Sequence, residues 1–307
     1  MYIGAHVSSS GGIHTALDRI EAMDGDSVQV FTQSPRTWRP TNHDPESFDR
    51  FKKRRAELGL HGVLCHALYL INLASPKDDL YDKSVAALRN TVEVACGIDA
   101  DAVVFHVGSH LGAGFDAGLE KVVPAIGSVL EVCTDTTWLC MENTAGAGAT
   151  IGRSIEELAM LVERLDRHPR LGICLDSCHL YVSGYDVTDR EALDRLLEQV
   201  DRSIGFDRLR CLHVNDANAP LDSNRDRHAN ICEGHMGERL SVFLGHPDLQ
   251  GLPAVLEVPG ADNHGPDAEE IRKTKELWKR GVGPATRKSP RKRGTSARRP
   301  AARKTRG

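Results

Sequence analysis

The chain has 307 residues, 27% charged and 40% hydrophobic, which is the balance of an ordinary soluble globular protein. No apolar run approaches the roughly 20 residues needed to cross a bilayer. Met1-Tyr-Ile-Gly-Ala-His6 lacks the basic and then apolar segments of a signal peptide, so a cytoplasmic location is expected. The net charge of −4 conceals two unlike parts: residues 287–307 carry ten Lys or Arg and no acid, which leaves 29 basic against 43 acidic residues, or −14, in the body.

Strands are predicted at 2–7, 27–32, 62–67, 102–107, 137–143, 171–177, 209–215 and 252–258, each a short apolar run. Amphipathic stretches separate most of them. Asp44-Pro45 opens one helix with a cap and a proline at its first position, ahead of Phe48, Phe51 and Leu58. Ser154-x-x-Glu157 and Thr188-x-x-Glu191 read as capping boxes, and Asp267-x-x-Glu270 begins a last helix through Ile271, Leu277 and Trp278. Pro124 is expected to kink or end the segment 116–133. The last helix is expected to break at Gly281-Val-Gly-Pro284. The domain expectation is therefore a folded unit over 1–280 and a disordered basic tail over 281–307. Eight cysteines are scattered without a Cys-x-x-Cys pair, several inside the predicted strands, a pattern of reduced, buried thiols.

Strand–helix–strand units recurring about eight times predict an α/β fold with parallel strands. Six strands end on ionisable groups: His66, His106, Glu142, Asp176, His213 and Glu257. A buried strand gains nothing from such an ending unless something compensates its desolvation. An open sheet usually binds at one switch point with two or three strand ends, whereas six ends converge only if the sheet closes. A TIM (β/α)8 barrel is therefore preferred; at about 250 residues it would fit this chain with a tail.

His179, three residues past Asp176, and the Asp226-Arg-His228 triplet bring the candidate ligands to nine, five imidazoles and four carboxylates. That mixture suits zinc, manganese or iron better than Mg²⁺ or Ca²⁺. Nine groups are too many for one tetrahedral ion and serve two or three. Clustered divalent ions are a recurring solution for phosphodiester cleavage, activating water and neutralising the phosphate. His6, His14, His61 and His110 remain unassigned, although His6 ends the first strand and could support the site.

At these residues the chain resembles the endonuclease IV family of apurinic/apyrimidinic endonucleases, from Ile3 to about residue 280. The segments are Tyr2-Ile-Gly-Ala-His-Val-Ser, Phe31-Thr-Gln-Ser-Pro-Arg-Thr-Trp38, His66-Ala-Leu-Tyr-Leu-Ile-Asn-Leu73 and Phe105-His-Val-Gly-Ser-His110. Glu142-Asn-Thr-Ala-Gly146, Asp176-Ser-Cys-His179 with Gly184-Tyr-Asp186, His213-Val-Asn-Asp216, Asp226-Arg-His228 and Leu256-Glu257 complete the set. The resemblance implies a xylose-isomerase-like TIM barrel with three zinc ions (Mn²⁺ or Fe²⁺ at some sites). It implies incision of double-stranded DNA 5′ to an abasic site, leaving a 3′-hydroxyl and a 5′-deoxyribose phosphate, with 3′-phosphatase or 3′-diesterase activity besides. His66, His106 and Glu142 would hold the first ion. Glu142 would bridge to a second with Asp176, His213 and Glu257. His179, Asp226 and His228 would hold the third. Glu142 is the implied catalytic group, between the two ions that activate water, and the third ion helps stabilise the leaving 3′-oxygen. Arg36 and Tyr69 match the residues that enter the DNA, filling the gap where a base is missing. A monomer associated with the nucleoid is the matching expectation.

The chain departs from the family pattern at Gln33, where a basic residue is usual, at Ala229, where a second His often stands, and at Cys232, where Gly often stands. These changes bear on loop geometry more than on metal chemistry. The acidic body opposes DNA binding, except where metals invert the local field, and the ten cations of the tail offer salt-sensitive affinity for DNA. Two alternatives stand beside this reading. One is a metal-dependent sugar isomerase or epimerase on the same barrel. The other is a degenerate barrel that only binds DNA, which the intact nine-residue set argues against.

Overall fold

The computed structural model describes residues 1–283. The segment 284–307, which holds nearly all of the predicted disordered tail, lies outside the described residues.

Eight strands form the barrel wall: β1 (Tyr2–His6), β2 (Ser27–Phe31), β3 (Gly62–His66), β4 (Ala102–Phe105), β5 (Trp138–Glu142), β6 (Leu171–Asp176), β7 (Leu209–His213) and β10 (Pro253–Leu256). They pair in parallel in the order β1-β10-β7-β6-β5-β4-β3-β2 and close on themselves, as predicted. A short antiparallel pair, β8 (Asp216–Ala217) and β9 (His228–Ala229), lies between β7 and β10 in sequence and was not expected. The larger helices are α1 (Thr15–Ala22), α2 (Pro45–Leu58), α3 (Asp78–Gly97), α4 (Phe115–Leu130), α5 (Ile155–Arg164), α7 (Arg190–Ser203) and α9 (Ala268–Val282). Two short ones, α6 (Ser177–Val182) and α8 (Ser241–Leu244), complete them.

The two faces of each strand serve different cores, because side chains alternate along it. Val63, Cys65, Val103, Phe105, Leu139, Met141, Ile173, Leu175 and Leu212 face outward and join the helix faces in the main core. Leu64, Val104, Cys140, Cys174, Cys211 and Val255 pack in a separate cluster, the filled interior expected of such a barrel. Each of these six lies two residues before a candidate ligand, so the ligands share the inward face. They sit at the C-terminal mouth, where barrel enzymes place their sites.

Asp44, Ser154 and Asp267 cap their helices as expected, accepting from the backbone N–H of Glu46, Glu157 and Glu270. Two local expectations fail. Pro124 neither ends nor divides its helix: α4 runs through it. The loss of about 3 kcal/mol normally set by an interior proline is offset by burying Leu119, Val122, Ala125, Ile126 and Val129. Asp189, not Thr188, caps α7, accepting from Ala192 N–H, because the Thr188 hydroxyl donates instead to Asp186. The break expected at Gly281-Val-Gly-Pro284 falls inside that segment: α9 ends at Val282, with Gly283 beyond it at φ +47°.

Candidate metal centre

The nine candidate ligands meet at one mouth of the barrel. Glu142 lies at the centre, fully buried: its Oε2 is 3.4 Å from Nε2 of His66 and 3.4 Å from Nε2 of His106, and its Oε1 is 3.1 Å from Nδ1 of both His179 and His213. His213 Nδ1 is also 3.3 Å from Glu257 Oε2. Toward solvent, His179 Nε2 and His228 Nε2 lie 3.3 and 3.7 Å from Asp226 Oδ1. Among the described residues, four sets of ligand atoms fall within 4.8 Å of one another: His66, Glu142 and His213; Glu142, Asp176, His213 and Glu257; His179, Asp226 and His228; and Asp176, Cys178 and His228. Two of these coincide with the sets implied by the resemblance. In the first set His213 stands beside His66 and Glu142, with His106 reaching the same Glu142 oxygen as His66, and the fourth joins Cys178, outside the nine, to Asp176 and His228.

The donor set fits divalent metal ions. Glu142 Oε1, His179 Nε2, His213 Nδ1 and His228 Nε2 are buried without a hydrogen-bond partner, although buried polar atoms are nearly always satisfied. All four point into the cluster. The opposite ring nitrogens are taken: Nδ1 of His66 donates to Ala67 O at 2.6 Å, Nδ1 of His179 to Asn143 O at 3.0 Å, and Nδ1 of His228 to Glu257 O at 3.2 Å. Such bonds fix the tautomer and present the free nitrogen as a ligand.

Ionisation follows the same geometry. Burial opposes the charged form of Glu142, but His213 and His106 hold its carboxyl well below the usual range. Glu257 is likewise depressed against its burial, chiefly by His213. Burial also opposes ionisation of Asp226, yet His179 brings it down to about 2. Conversely, burial pushes His213 down, but Glu257 and Glu142 raise it to about 10. Asp176, Asp226 and Glu142 carry His179 well above 6.5 despite its burial. Metal-free, the cluster is a set of carboxylates partly neutralised by the protonated imidazoles of His179 and His213.

A cavity of about 880 Å³ opens over the cluster, lined by Tyr69, His106, His179, Asp226, His228 and Glu257 among others. Tyr69 is 59% exposed at its rim, its ring edge-on to Phe31. Arg36 is exposed on the loop after β2, outside the lining of that cavity. Gln33 shapes this loop: its buried side chain donates to Thr37 O and Arg39 O and accepts from Asn90. A basic residue here would lose the bond from Asn90. Cys232 adopts a left-handed backbone, φ +70°, the conformation that glycine holds without strain. Ala229 pairs with Asp216 in the β8–β9 ladder.

Sequence reasoning missed the residues that hold the ligands. Asn143 accepts from Asp176 N–H, and Asn215 donates to Asp176 Oδ2 while accepting from Glu257 N–H. Asp216 gathers the loop after His228, accepting from the N–H groups of Gly234, Met236 and Gly237. His6, by contrast, was expected to be able to support the site from the end of the first strand, and it reaches Glu257 at 3.4 Å. Gln29 contacts His6, His213 and Glu257. Its only local signal is a polar residue amid the apolar run Val28-Gln29-Val30.

A closed parallel barrel with a buried His/Asp/Glu cluster at its C-terminal mouth defines a xylose isomerase-like protein with a site suited to metal. Residues 17–281 match that barrel family. A protein named "Probable endonuclease 4" from Halothermothrix orenii is 36% identical over 272 residues, 88% of this chain and 98% of the relative. Another with that name, from Chloroflexus aurantiacus, is 38% identical over 266 residues, 86% of this chain and 93% of the relative. The crystal structure of endonuclease IV from Thermus thermophilus superposes with a TM-score of 0.80 at 32% identity, covering 92% of this chain and 99% of that one. A D-tagatose 3-epimerase-like protein shares the fold at 18% identity, with a TM-score of 0.65 and coverage of 92% and 97%. The chain belongs to the endonuclease IV family.

Proposed function

We propose that the chain hydrolyses the phosphodiester bond 5′ to an abasic site in double-stranded DNA, leaving a 3′-hydroxyl and a 5′-deoxyribose phosphate. Removal of 3′-phosphates and related blocking groups belongs to the same reading. The observation that carries it is the convergence of four unpartnered buried ligand atoms within a nine-residue His/Asp/Glu cluster, at a mouth rimmed by an exposed tyrosine.

Three zinc ions fit the proposal, with Mn²⁺ or Fe²⁺ as possible substitutes. His66, His106 and Glu142 would hold one, Glu142, Asp176, His213 and Glu257 a second, and His179, Asp226 and His228 a third. Such ions, when bound, lower the pKa of water and neutralise phosphate charge. The chain's own residues arrange this chemistry. Glu142 joins two of the sets through its separate oxygens, and the Asn143 and Asn215 amides hold Asp176 and Glu257 in place. Tyr69 and Arg36 serve the DNA, taking the space left by the absent base, where extruding the unstacked sugar is inexpensive. The reading includes a monomer acting in the cytoplasm at the nucleoid, one catalytic domain to about residue 280, and a basic tail adding sequence-independent affinity. Among the described residues no helix is long and apolar enough to cross a membrane.

The test is incubation of a duplex carrying one abasic analogue with the protein, with and without chelator, while metal is counted in the same preparation. Incision 5′ to the lesion that chelator abolishes is expected, and Glu142→Gln should lower turnover by orders of magnitude in a folded barrel. An intact duplex beside turnover of ketoses with one or two Mn²⁺ would transfer the chain to the sugar epimerases.

A further inference from the structure

We propose that Gln29 is a positioning residue of the metal centre, fixing the tautomer of His213 and the orientation of Glu257. On this view it governs the affinity for the ion held by Glu142, Asp176, His213 and Glu257. The inference rests on the metal-dependent reading above.

Gln29 is fully buried in the middle of β2. The inward layer just beneath the ligands is otherwise apolar or thiol: Leu64, Val104, Cys140, Cys174, Cys211 and Val255. A carboxamide left unpaired in such a place costs about 1–3 kcal/mol, yet its polar atoms are all engaged. Nε2 lies 2.7 Å from Glu257 Oε1 and 3.1 Å from His6 Nδ1, and Oε1 lies 2.9 Å from His213 Nε2.

These contacts determine one another. An ionised carboxylate only accepts, so the NH₂ end of Gln29 must face Glu257. Its oxygen therefore faces His213, and an amide oxygen only accepts, so Nε2 of His213 carries the proton and donates. The lone pair of the neutral ring is then on Nδ1, the atom 3.1 Å from Glu142 Oε1 and 3.3 Å from Glu257 Oε2. His66, His179 and His228 obtain the same service from backbone carbonyls, which exist whatever the side chain. For His213 the acceptor is a side chain 184 residues away, and it can be removed by mutation. A neutral amide also holds Glu257 without adding a fifth carboxylate to the cluster.

The experiment compares full-length wild type with Gln29→Leu and Gln29→Met, two apolar replacements of similar volume. Each protein is stripped of metal and titrated with Zn²⁺ against a chromogenic chelator, and melting is followed with and without zinc. Loss of the outer hydrogen-bond partner of a ligand typically weakens metal affinity by about 10–100-fold. The expected result is that loss for one ion, with the others bound as in wild type. The metal-free melting temperature should move less than the rise produced by zinc. Wild-type zinc affinity in a folded variant overturns the proposal, as does equal destabilisation with and without zinc, which would make Gln29 a packing residue only. Failure of wild type to take up zinc overturns the metal-centre reading itself, a distinct outcome. If the leucine variant does not fold, the methionine variant decides.

Discussion

Loading the metal centre should release protons, in a number that the cluster's geometry sets. In the metal-free protein, burial opposes the charge on His213, but Glu257 and Glu142 raise it to about 10, and Asp176 and Asp226 carry His179 well above 6.5 against the same opposition. Both rings are therefore cationic at pH 7. A metal ion takes neutral imidazole, so full loading at pH 7 should expel about two protons, one from each of these rings. Since pH 7 lies about three units below the value for His213, proton competition should weaken the apparent affinity of its ion by about 1000-fold. Between pH 6 and 8 that affinity should rise about tenfold per unit. Calorimetric zinc titration in buffers of equal pH and different ionisation enthalpy measures the protons directly.

The consequence for stability has two opposite edges. His213 is raised, so in metal-free protein its contribution is fully present below about 6.5, its value when unfolded, and is lost as pH rises through about 10. Asp226 is depressed, so its contribution is fully present above about 4 and is lost as pH falls through about 2. The metal-free barrel should thus be most stable in mildly acidic buffer, and the stabilisation by zinc should be larger at pH 8 than at pH 6. Zinc binding with no proton release, or with affinity flat across pH 6 to 8, would refute the view that protons and metal ions compete for these rings.

Two substitutions probe other parts of the molecule. Tyr69→Ala should weaken binding to an abasic duplex roughly tenfold or more, since a stacking aromatic is worth about 1–3 kcal/mol; with Tyr69 59% exposed, the melting temperature should barely move. Equal affinity of this variant and wild type in a fluorescence anisotropy titration would take Tyr69 out of the DNA interface. Cys232→Gly should stabilise the fold: a left-handed non-glycine residue costs about 1–2 kcal/mol, against about 0.5–1 kcal/mol for glycine's extra freedom when unfolded. The net gain should appear as a rise of about 2 °C in melting temperature, and a fall would mean that the Cys232 side chain contributes more by packing than its φ of +70° costs.

The barrel was legible because the strands are short and apolar and six of them are cut off by an ionisable residue at the tip. That punctuation is imposed locally, by the boundary between the filled interior and the open mouth. The convergence of the nine His, Asp and Glu residues was legible for the same reason, in combination with the family's segment order. The supports were not. Gln29 reads as an interruption of an apolar strand, and only closure of the sheet brings it to His213. Asn143 and Asn215 stood inside recognised segments, but their roles depend on the neighbouring strand end that each one reaches. Pro124 misled for a converse reason: its local penalty is visible in sequence, whereas the burial that outweighs it belongs to the assembled layer. Thr188 failed as a cap because Asp186 and Asp189 compete for the same few bonds, a choice settled by loop geometry.

The remaining difficulty, how an acidic body approaches DNA, is resolved by where the charge sits. Many acids on the outer helices are already paired, as Glu269 and Glu276 are with Arg272, and Asp18, Glu21 and Glu57 with Arg54. At the mouth, among the described residues, the ion-pair partners of Glu142, Asp176, Asp226 and Glu257 are all histidines. Four carboxylates outnumber the two imidazoles held cationic, His179 and His213, so the metal-free ligand cluster is net negative. Three divalent ions with neutral imidazoles would leave it at about +2. Metal should therefore switch the sign of the surface that meets the phosphate, and affinity for DNA should depend on it separately from catalysis. Stripped protein should bind an abasic duplex more weakly than zinc-loaded Glu142→Gln, provided that variant retains its metal on analysis. Its affinity should also fall less steeply with added salt, because fewer counterions are released. Equal affinity and equal salt dependence in the two proteins would show that the DNA is held elsewhere, with the mouth contributing chemistry alone.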